Sequence, residues 1–348
     1  MLSPTLTIQN KDFSYPVFIA SNCLRDHSLW SSLISQQQVF IVSDENVAPL
    51  YLEKFSNALT NKQITHTILA CGEKSKNLTQ FANIIDHLAE NNYARDCLIV
   101  GLGGGVVTDL AGFVAACYMR GVDFIQIPTS LLAQVDAAIG GKTAVNHPQA
   151  KNLIGCFYQP KAVIIDTNTL TTLDERNFRA GLAEVIKMAV SFDENLFGYL
   201  EQQMAQLLER NQKVLQYIIQ RCCELKANIV TQDEKEQGLR SLLNFGHTYG
   251  HALEKIDNYQ RYLHGEAVAI GMVIAAELSV KDKLLSVSEQ QRLVHLIASA
   301  GLPTQIPSTL NQTELNKSLL LDKKIKNGKL SMVLLKKIGQ ARSTIIKN

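Results

Sequence analysis

The stretch "NFGHTYGHALEK", residues 244–255, sets His247 and His251 four residues apart. In a helix that spacing projects both imidazoles from one face, close enough to share a cation. Imidazole suits zinc and its neighbours in the first transition row. Two packed histidines would show the same spacing, so the pair raises the question of a metal without closing it.

A second chemistry is offered by "VGLGGGVVTDLAGF", residues 100–113. Gly103, Gly104 and Gly105 follow an apolar strand-like run and precede a helical one. Glycines there let backbone approach a ligand, and the helix start aims free amides and a positive dipole end at an anion. A diphosphate is the natural candidate. The run is not the usual G-x-G-x-x-G turn, because the third glycine would fall at Val106. Gly112, Ala115 and Ala116 suggest close packing of the helix on a sheet. Two further loops, "SDENV" and "GEKSK", follow strand-like runs and offer Asp44, Glu73 and Lys76. Ligands of open α/β sheets collect at such strand ends.

The polar segment from Ile127 to Pro160 carries Thr129, Ser130, Asp136, Lys142, Asn146, Lys151 and Asn152 among small residues and paired glycines. Lysine supplies a point charge and asparagine both donates and accepts, which suits a phosphorylated substrate. A polar loop with helix caps would also account for any one of these residues.

These residues need elements to position them. Gln38–Ser43, Ile64–Ala70, Cys97–Gly103, Asp123–Pro128 and Ala162–Asp166 read as strands, alternating with helical spacing. That alternation predicts parallel βαβ units in a doubly wound, Rossmann-like sheet covered on both faces. After Asp166 the pattern becomes helical, with apolar steps such as Leu196, Leu200, Met204 and Leu207. The expected fold is an α/β domain over residues 1–168 and an all-α domain over 169–348, with the active site in a cleft between them.

The chain has 348 residues, 34 Lys plus Arg and 32 Asp plus Glu, a balance that argues against a nucleic-acid partner. No apolar run reaches membrane-spanning length and the first residues lack a signal-peptide pattern, so the expected compartment is the cytoplasm, with no membrane partner. Seven cysteines without a CxxC pair fit reduced thiols, with Cys222 and Cys223 buried on a helix.

Taken together, "GGGVVTDLAGFVAACYMRG", "IPTSLLAQVDAAIGGKTAVN", "KNLIG", "AGLAEVIK", "LLNFGHTYGHALE" and "LHGEAVAIGM" resemble the 3-dehydroquinate synthase family of sugar phosphate cyclases, from about Asp44 to Lys324. The resemblance implies NAD and a divalent metal, zinc or cobalt, held by Glu184, His247 and His264, with His251 beside them rather than bonded to the ion. Spacing alone pairs His247 with His251, so the two readings differ. Glu184 stands in an apolar helical run, where an unpaired carboxylate would be costly and a metal is a natural partner. His264, taken alone, could simply open a helix. The implied NAD contacts are Asp44, Glu73, Lys74, Ser75 and Lys76; Gly104, Gly105, Val106, Val107, Thr108 and Asp109; Thr129 and Ser130; Lys142 and Lys151; and Thr169, Leu170, Thr171 and Thr172. Ser130 and Ala137–Ala138 depart from the family's more usual threonine and serine.

The implied reaction converts 3-deoxy-D-arabino-heptulosonate 7-phosphate to 3-dehydroquinate and phosphate, the second step of the shikimate route to chorismate and aromatic amino acids. It proceeds by transient oxidation at C5, phosphate elimination, re-reduction and aldol closure. Arg120, Lys151 and Asn152, with Lys323 or Lys324, are expected at the phosphate. Lys142 and Lys226 are expected at the carboxylate and hydroxyls, with Asp136, Glu236, Asn244 and His251 orienting the network. Helix-dipole complementation would equally explain Arg120. The family further implies a homodimer acting on a small sugar phosphate. A metal-dependent alcohol or glycerol dehydrogenase, a sibling cyclase and an inactive binding protein are the alternatives.

Overall fold

The computed structural model describes residues 2–256, 261–306, 325–326 and 329–345; Lys323 and Lys324 lie outside them. Two compact units emerge, residues 1–173 with 226–234, and 174–225 with 235–348.

The first unit contains strands β1 (Leu6–Gln9), β2 (Ser14–Ala20), β3 (Gln38–Asp44), β4 (Gln63–Leu69), β5 (Leu98–Gly103), β6 (Asp123–Pro128), β7 (Lys142–His147), β8 (Ala150–Phe157) and β9 (Ala162–Asp166). Seven form one sheet in the order β1-β2-β9-β6-β5-β3-β4. All its pairings are parallel except β1 with β2. Helices α1 (His27–Leu33), α2 (Ala48–Ser56), α3 (Leu78–Glu90) and α4 (Gly105–Cys117) complete the unit. The inner strands β3, β5, β6 and β9 are apolar at nearly every position because both faces are covered. Val39 and Ile41 enter one core with Trp30 and Phe55, and Phe40 and Val42 enter another with Ile84 and Leu110. The polar segment after β6 is a π-helical turn, Ala133–Ala137, followed by the antiparallel hairpin β7–β8.

The second unit holds α5 (Glu175–Phe192), α6 (Glu194–Leu208), most of α7 (Gln212–Gln232), α8 (His247–Ile256), α9 (His264–Lys281) and α10 (Val287–Ser299). Asp174 starts α5 by accepting from the Asn177 amide. Cys222 and Cys223 are buried on α7, as expected. Among its described residues the unit is helical apart from a small sheet, a departure from the all-α expectation. Strands β10 (Ile325–Lys326), β11 (Lys329–Lys337) and β12 (Gln340–Ile345) form a small antiparallel sheet. Met332 to Leu335 are all buried, so β11 lacks the polar–apolar alternation that marks a strand in sequence. Tertiary bonds fix it instead: Leu335 donates to Ser279 Oγ on α9, and Gly339, in the left-handed region, donates to the Val190 carbonyl on α5.

Candidate functional site

In the second unit, Glu184 on α5 and the histidines that open α8 and α9 come together. Glycines permit that approach. A Cβ on Gly265 would collide with the Ala180 carbonyl, one turn before Glu184, and one on Gly271 would collide with the Gly246 carbonyl. Gly246 also has a φ of +80°, a turn that L side chains resist, and it delivers His247 to the helix start.

Both Glu184 and Lys187 are 1% exposed, and Oε2 of Glu184 forms an ion pair with the Lys187 ammonium. Oε1 of Glu184 accepts no hydrogen bond and lies 3.7 Å from Nε2 of His247 and 3.7 Å from Nε2 of His264. Zinc–nitrogen and zinc–oxygen bonds run roughly 2.0–2.2 Å, so atoms under about 4.4 Å apart can touch one ion. The far side of each ring is fixed. Nδ1 of His247 faces the Phe245 carbonyl at 3.2 Å, and Nδ1 of His264 faces the buried Glu254 carboxylate at 3.3 Å. Those oxygens only accept, so each Nδ1 carries the proton and each Nε2 presents its lone pair toward Glu184. An orphaned buried carboxylate oxygen with two aimed imidazole lone pairs fits a divalent cation with nitrogen and oxygen ligands.

His251, Glu254 and His264 form a second grouping within ligand range. The His251 ring lies 5.3 Å from that of His247, so the pair suggested by spacing does meet. His251 is exposed, however, and the His264 proton is already directed at Glu254. Nearby, Asn244 donates to Glu236 at 2.6 Å. Lys187 and Glu254 escaped the residue-level reading, although both stand in the quoted motifs. Their signal was a charge at an otherwise apolar helical position.

The first unit gathers most of its expected residues toward the carboxyl ends of parallel strands; Arg120 does not join them, because it follows α4 and precedes β6, at the amino end of the sheet, where Asp123 pairs with the first residue of β5. Asp44 ends β3 and accepts from the Asn46 and Val47 amides; burial nevertheless raises its pKa. After β4, Lys76 lies 2.9 Å from Asp109 on α4 and 3.3 Å from Glu73. Burial pulls the Lys76 ammonium down, but the two carboxylates outweigh it and push its pKa up to about 12. Burial lifts Asp109, with Lys76 opposing; on Glu73 burial is outweighed by Lys76, Lys151 and the Asn146 hydrogen bond, and its pKa falls. Asn146 donates to Glu73 at 2.7 Å and accepts from the Asn152 amide at 2.9 Å, tying "GGKTAVN" and "KNLIG" to the "GEKSK" loop. Asn152 has a φ of +51°, a region asparagine tolerates.

The glycine run separates into two roles. A Cβ on Gly103 would meet Val107 at 2.6 Å, an internal packing need. On Gly104 or Gly105 its nearest neighbours would be 3.5 Å away, ordinary contact. The fold does not require glycine there, so those two positions leave a cradle that side chains would fill. Val106 borders it half-buried, while Val107 and Thr108 are buried in α4.

Several predicted side chains turn inward. Ser75 Oγ donates to the Ala70 carbonyl, Thr129 is 5% exposed, and Ser130 Oγ accepts from the Ala133 amide. Leu170 is buried; Thr169 donates to the Asp166 carbonyl, Thr171 to that of Asn168, and Thr172 bonds Tyr51. These form the wall after β9. Lys74, Lys142 and Arg120 are exposed, the last with a φ of +65°. Lys226, on the part of α7 that belongs to this unit, donates to both the side chain and the carbonyl of Asp136 at 2.6 Å.

Residues 66–180 match the family model described as 3-dehydroquinate synthase N-terminal, and residues 181–325 the one described as 3-dehydroquinate synthase C-terminal. The 3-dehydroquinate synthase of Dichelobacter nodosus is 49% identical over 97% of this chain and 91% of its own length. That of Coxiella burnetii (strain RSA 331 / Henzerling II) is 50% identical over 94% of this chain and 91% of its own. Among solved structures, the 2-epi-5-epi-valiolone synthase of Streptomyces hygroscopicus, with NAD+ and Zn2+ bound, superposes with a TM-score of 0.89 at 29% identity, covering 98% of this chain and 95% of that one. The chain belongs to the 3-dehydroquinate synthase family.

Proposed function

We propose that the protein converts 3-deoxy-D-arabino-heptulosonate 7-phosphate to 3-dehydroquinate and inorganic phosphate, using NAD and a divalent zinc or cobalt ion without net redox change. The observation that carries this reading is the convergence of Glu184 Oε1 with Nε2 of His247 and His264 in a chain of this family. Those three residues would hold the ion. When bound, NAD supplies a hydride acceptor that returns what it takes, and the ion supplies Lewis acidity at substrate oxygens.

The chain's own residues do the rest. Gly104 and Gly105 leave space for the diphosphate at the start of α4, whose first amides lack helical partners. Asp44, at the end of its strand, accepts from ribose hydroxyls. Lys76 stays cationic because two carboxylates flank it, and it fixes the "GEKSK" loop beside that space. Lys151 and Asn152 bind the substrate phosphate and balance its charge as it leaves; Arg120, at the amino end of the sheet, is not part of this group. Lys142 takes the carboxylate. Lys226, steered by Asp136, donates to hydroxyls; Asn244, steered by Glu236, and His251 orient the ring.

Purified protein should release phosphate from the heptulosonate phosphate only with NAD and a divalent metal, while absorbance from NADH stays flat. Steady NADH growth would indicate a dehydrogenase. Turnover of a different sugar phosphate, with none of this one, would indicate a sibling cyclase.

A further inference from the structure

Strands β6 and β9 are neighbours in the first unit's sheet, yet they pair at only two positions, Ile125 with Ala162 and Gln126 with Val163. Their carboxyl ends, Ile127–Pro128 and Ile164–Asp166, share no ladder position. A side chain joins them instead. Gln134, from the π-helical turn Ala133–Ala137, places Nε2 3.2 Å from the Pro128 carbonyl, 3.3 Å from the Asp166 carbonyl and 3.0 Å from Oγ1 of Thr169. Thr169 commits its own proton to the Asp166 carbonyl at 2.7 Å. All three neighbours therefore accept, and only the N–H end of the carboxamide can meet them.

Gln134 is 0% exposed, between the buried Ala133 and Val135. Burying a carboxamide is costly unless it is bonded, and a bonded buried network fixes one arrangement of its members. The members here adjoin residues expected to do chemistry. Thr129 and Ser130 follow Pro128, and Thr169 begins the wall after β9. The turn itself carries Asp136, which holds Lys226 at 2.6 Å. Residues two apart do not share a helical face, so Gln134 anchored inward presents Asp136 on another side. The Ala138 amide reaches back five residues to Ala133, and such π turns are frequent at functional sites.

We infer that Gln134 is a positioning residue for the reaction proposed above: its amide ties the ends of β6 and β9 together and so sets both the wall beside the dinucleotide and the Asp136–Lys226 pair. Being wholly buried, it touches neither cofactor nor substrate. The inference rests on that proposed reading, and its test separates the two.

The test compares Q134M, which keeps the length and loses the amide, with Q134E, which keeps the shape and sets oxygen against three acceptors. On metal-loaded full-length protein, NAD affinity by isothermal titration should fall about tenfold and kcat for phosphate release about 10–100-fold, the scale of a small misplacement within a site. Zinc affinity, which belongs to the second unit, should not move. L88A, a cavity in the buried core beneath α3, should lower the melting temperature and leave NAD affinity unchanged. Unchanged NAD affinity or kcat in either Gln134 variant, or an equal loss of NAD affinity in L88A, would overturn the inference and leave the proposed reaction standing. An unmodified chain that neither binds NAD nor releases phosphate would overturn both. Should the Gln134 variants fail to fold, Thr169, 1% exposed, decides: T169V, without the acceptor, should bind NAD more weakly than T169S, which keeps it, and equal affinities would overturn the inference.

Discussion

The buried carboxylate of Glu254 stands 3.3 Å from Nδ1 of His264, whose Nε2 faces Glu184 across 3.7 Å. A carboxylate behind an imidazole fixes its tautomer and raises its basicity, and loss of such a partner typically costs 10–100-fold in metal affinity. E254Q should therefore weaken zinc binding by about one to two orders of magnitude, read by competition with a chromophoric chelator. Unchanged affinity in a folded variant would remove Glu254 from this role.

Replacement of the two imidazoles that face Glu184 should cost more. H247A and H264A should each lower zinc affinity beyond the roughly 10–100-fold expected of an outer partner, while H251A loses much less. Isothermal titration of the three apoproteins separates them. Equal losses for His251 and His264 would instead favour the second grouping, with Glu254 as a ligand.

Lys76 is 5% exposed between Asp109 and Glu73. K76M leaves two carboxylates without their shared cation and should destabilise by about 3–5 kcal/mol, the usual cost of breaking a buried pair. Urea denaturation measures it, and a midpoint close to that of the unmodified chain would contradict it.

The same lysine predicts a pH effect. Its pKa is raised to about 12 from an unfolded value of about 10.4. A raised ammonium pKa means the folded chain binds the proton more tightly, so its stabilisation is complete below about pH 10.4 and lost as pH rises through about 12. Melting temperatures of the unmodified chain should fall across that window faster than those of K76M. Parallel declines would refute the linkage.

G265A forces a Cβ onto the Ala180 carbonyl. Overpacking costs about 1–3 kcal/mol, occasionally more, and here it pushes apart the helices bearing Glu184 and His264. Stability and zinc affinity should fall together. A stability loss with intact affinity would show that helix spacing does not set the metal geometry.

Much of the fold could be read in advance. The five strand runs appear as β3, β4, β5, β6 and β9; in β3, β5, β6 and β9 burial on both faces demands apolar residues at consecutive positions, while β4, at the sheet edge, alternates polar and apolar. The pairs β1–β2, β7–β8 and β11–β12 were not legible. Their sequences are short, interrupted by Pro16 or polar residues, or apolar without alternation, and long-range bonds decide them.

For the site, sequence by itself determined the ingredients: a glycine run at a strand end, charged residues in the loops beside it, and carboxylate and imidazole groups at fixed places on helices. These follow from local sterics and periodicity, which act over a few neighbouring residues. Only tertiary structure decided which imidazole nitrogens face Glu184 and that Glu254 and Phe245 fix their tautomers. That choice depends on how closely α5, α8 and α9 approach through Gly246, Gly265 and Gly271, a packing relation between distant segments that local spacing does not encode.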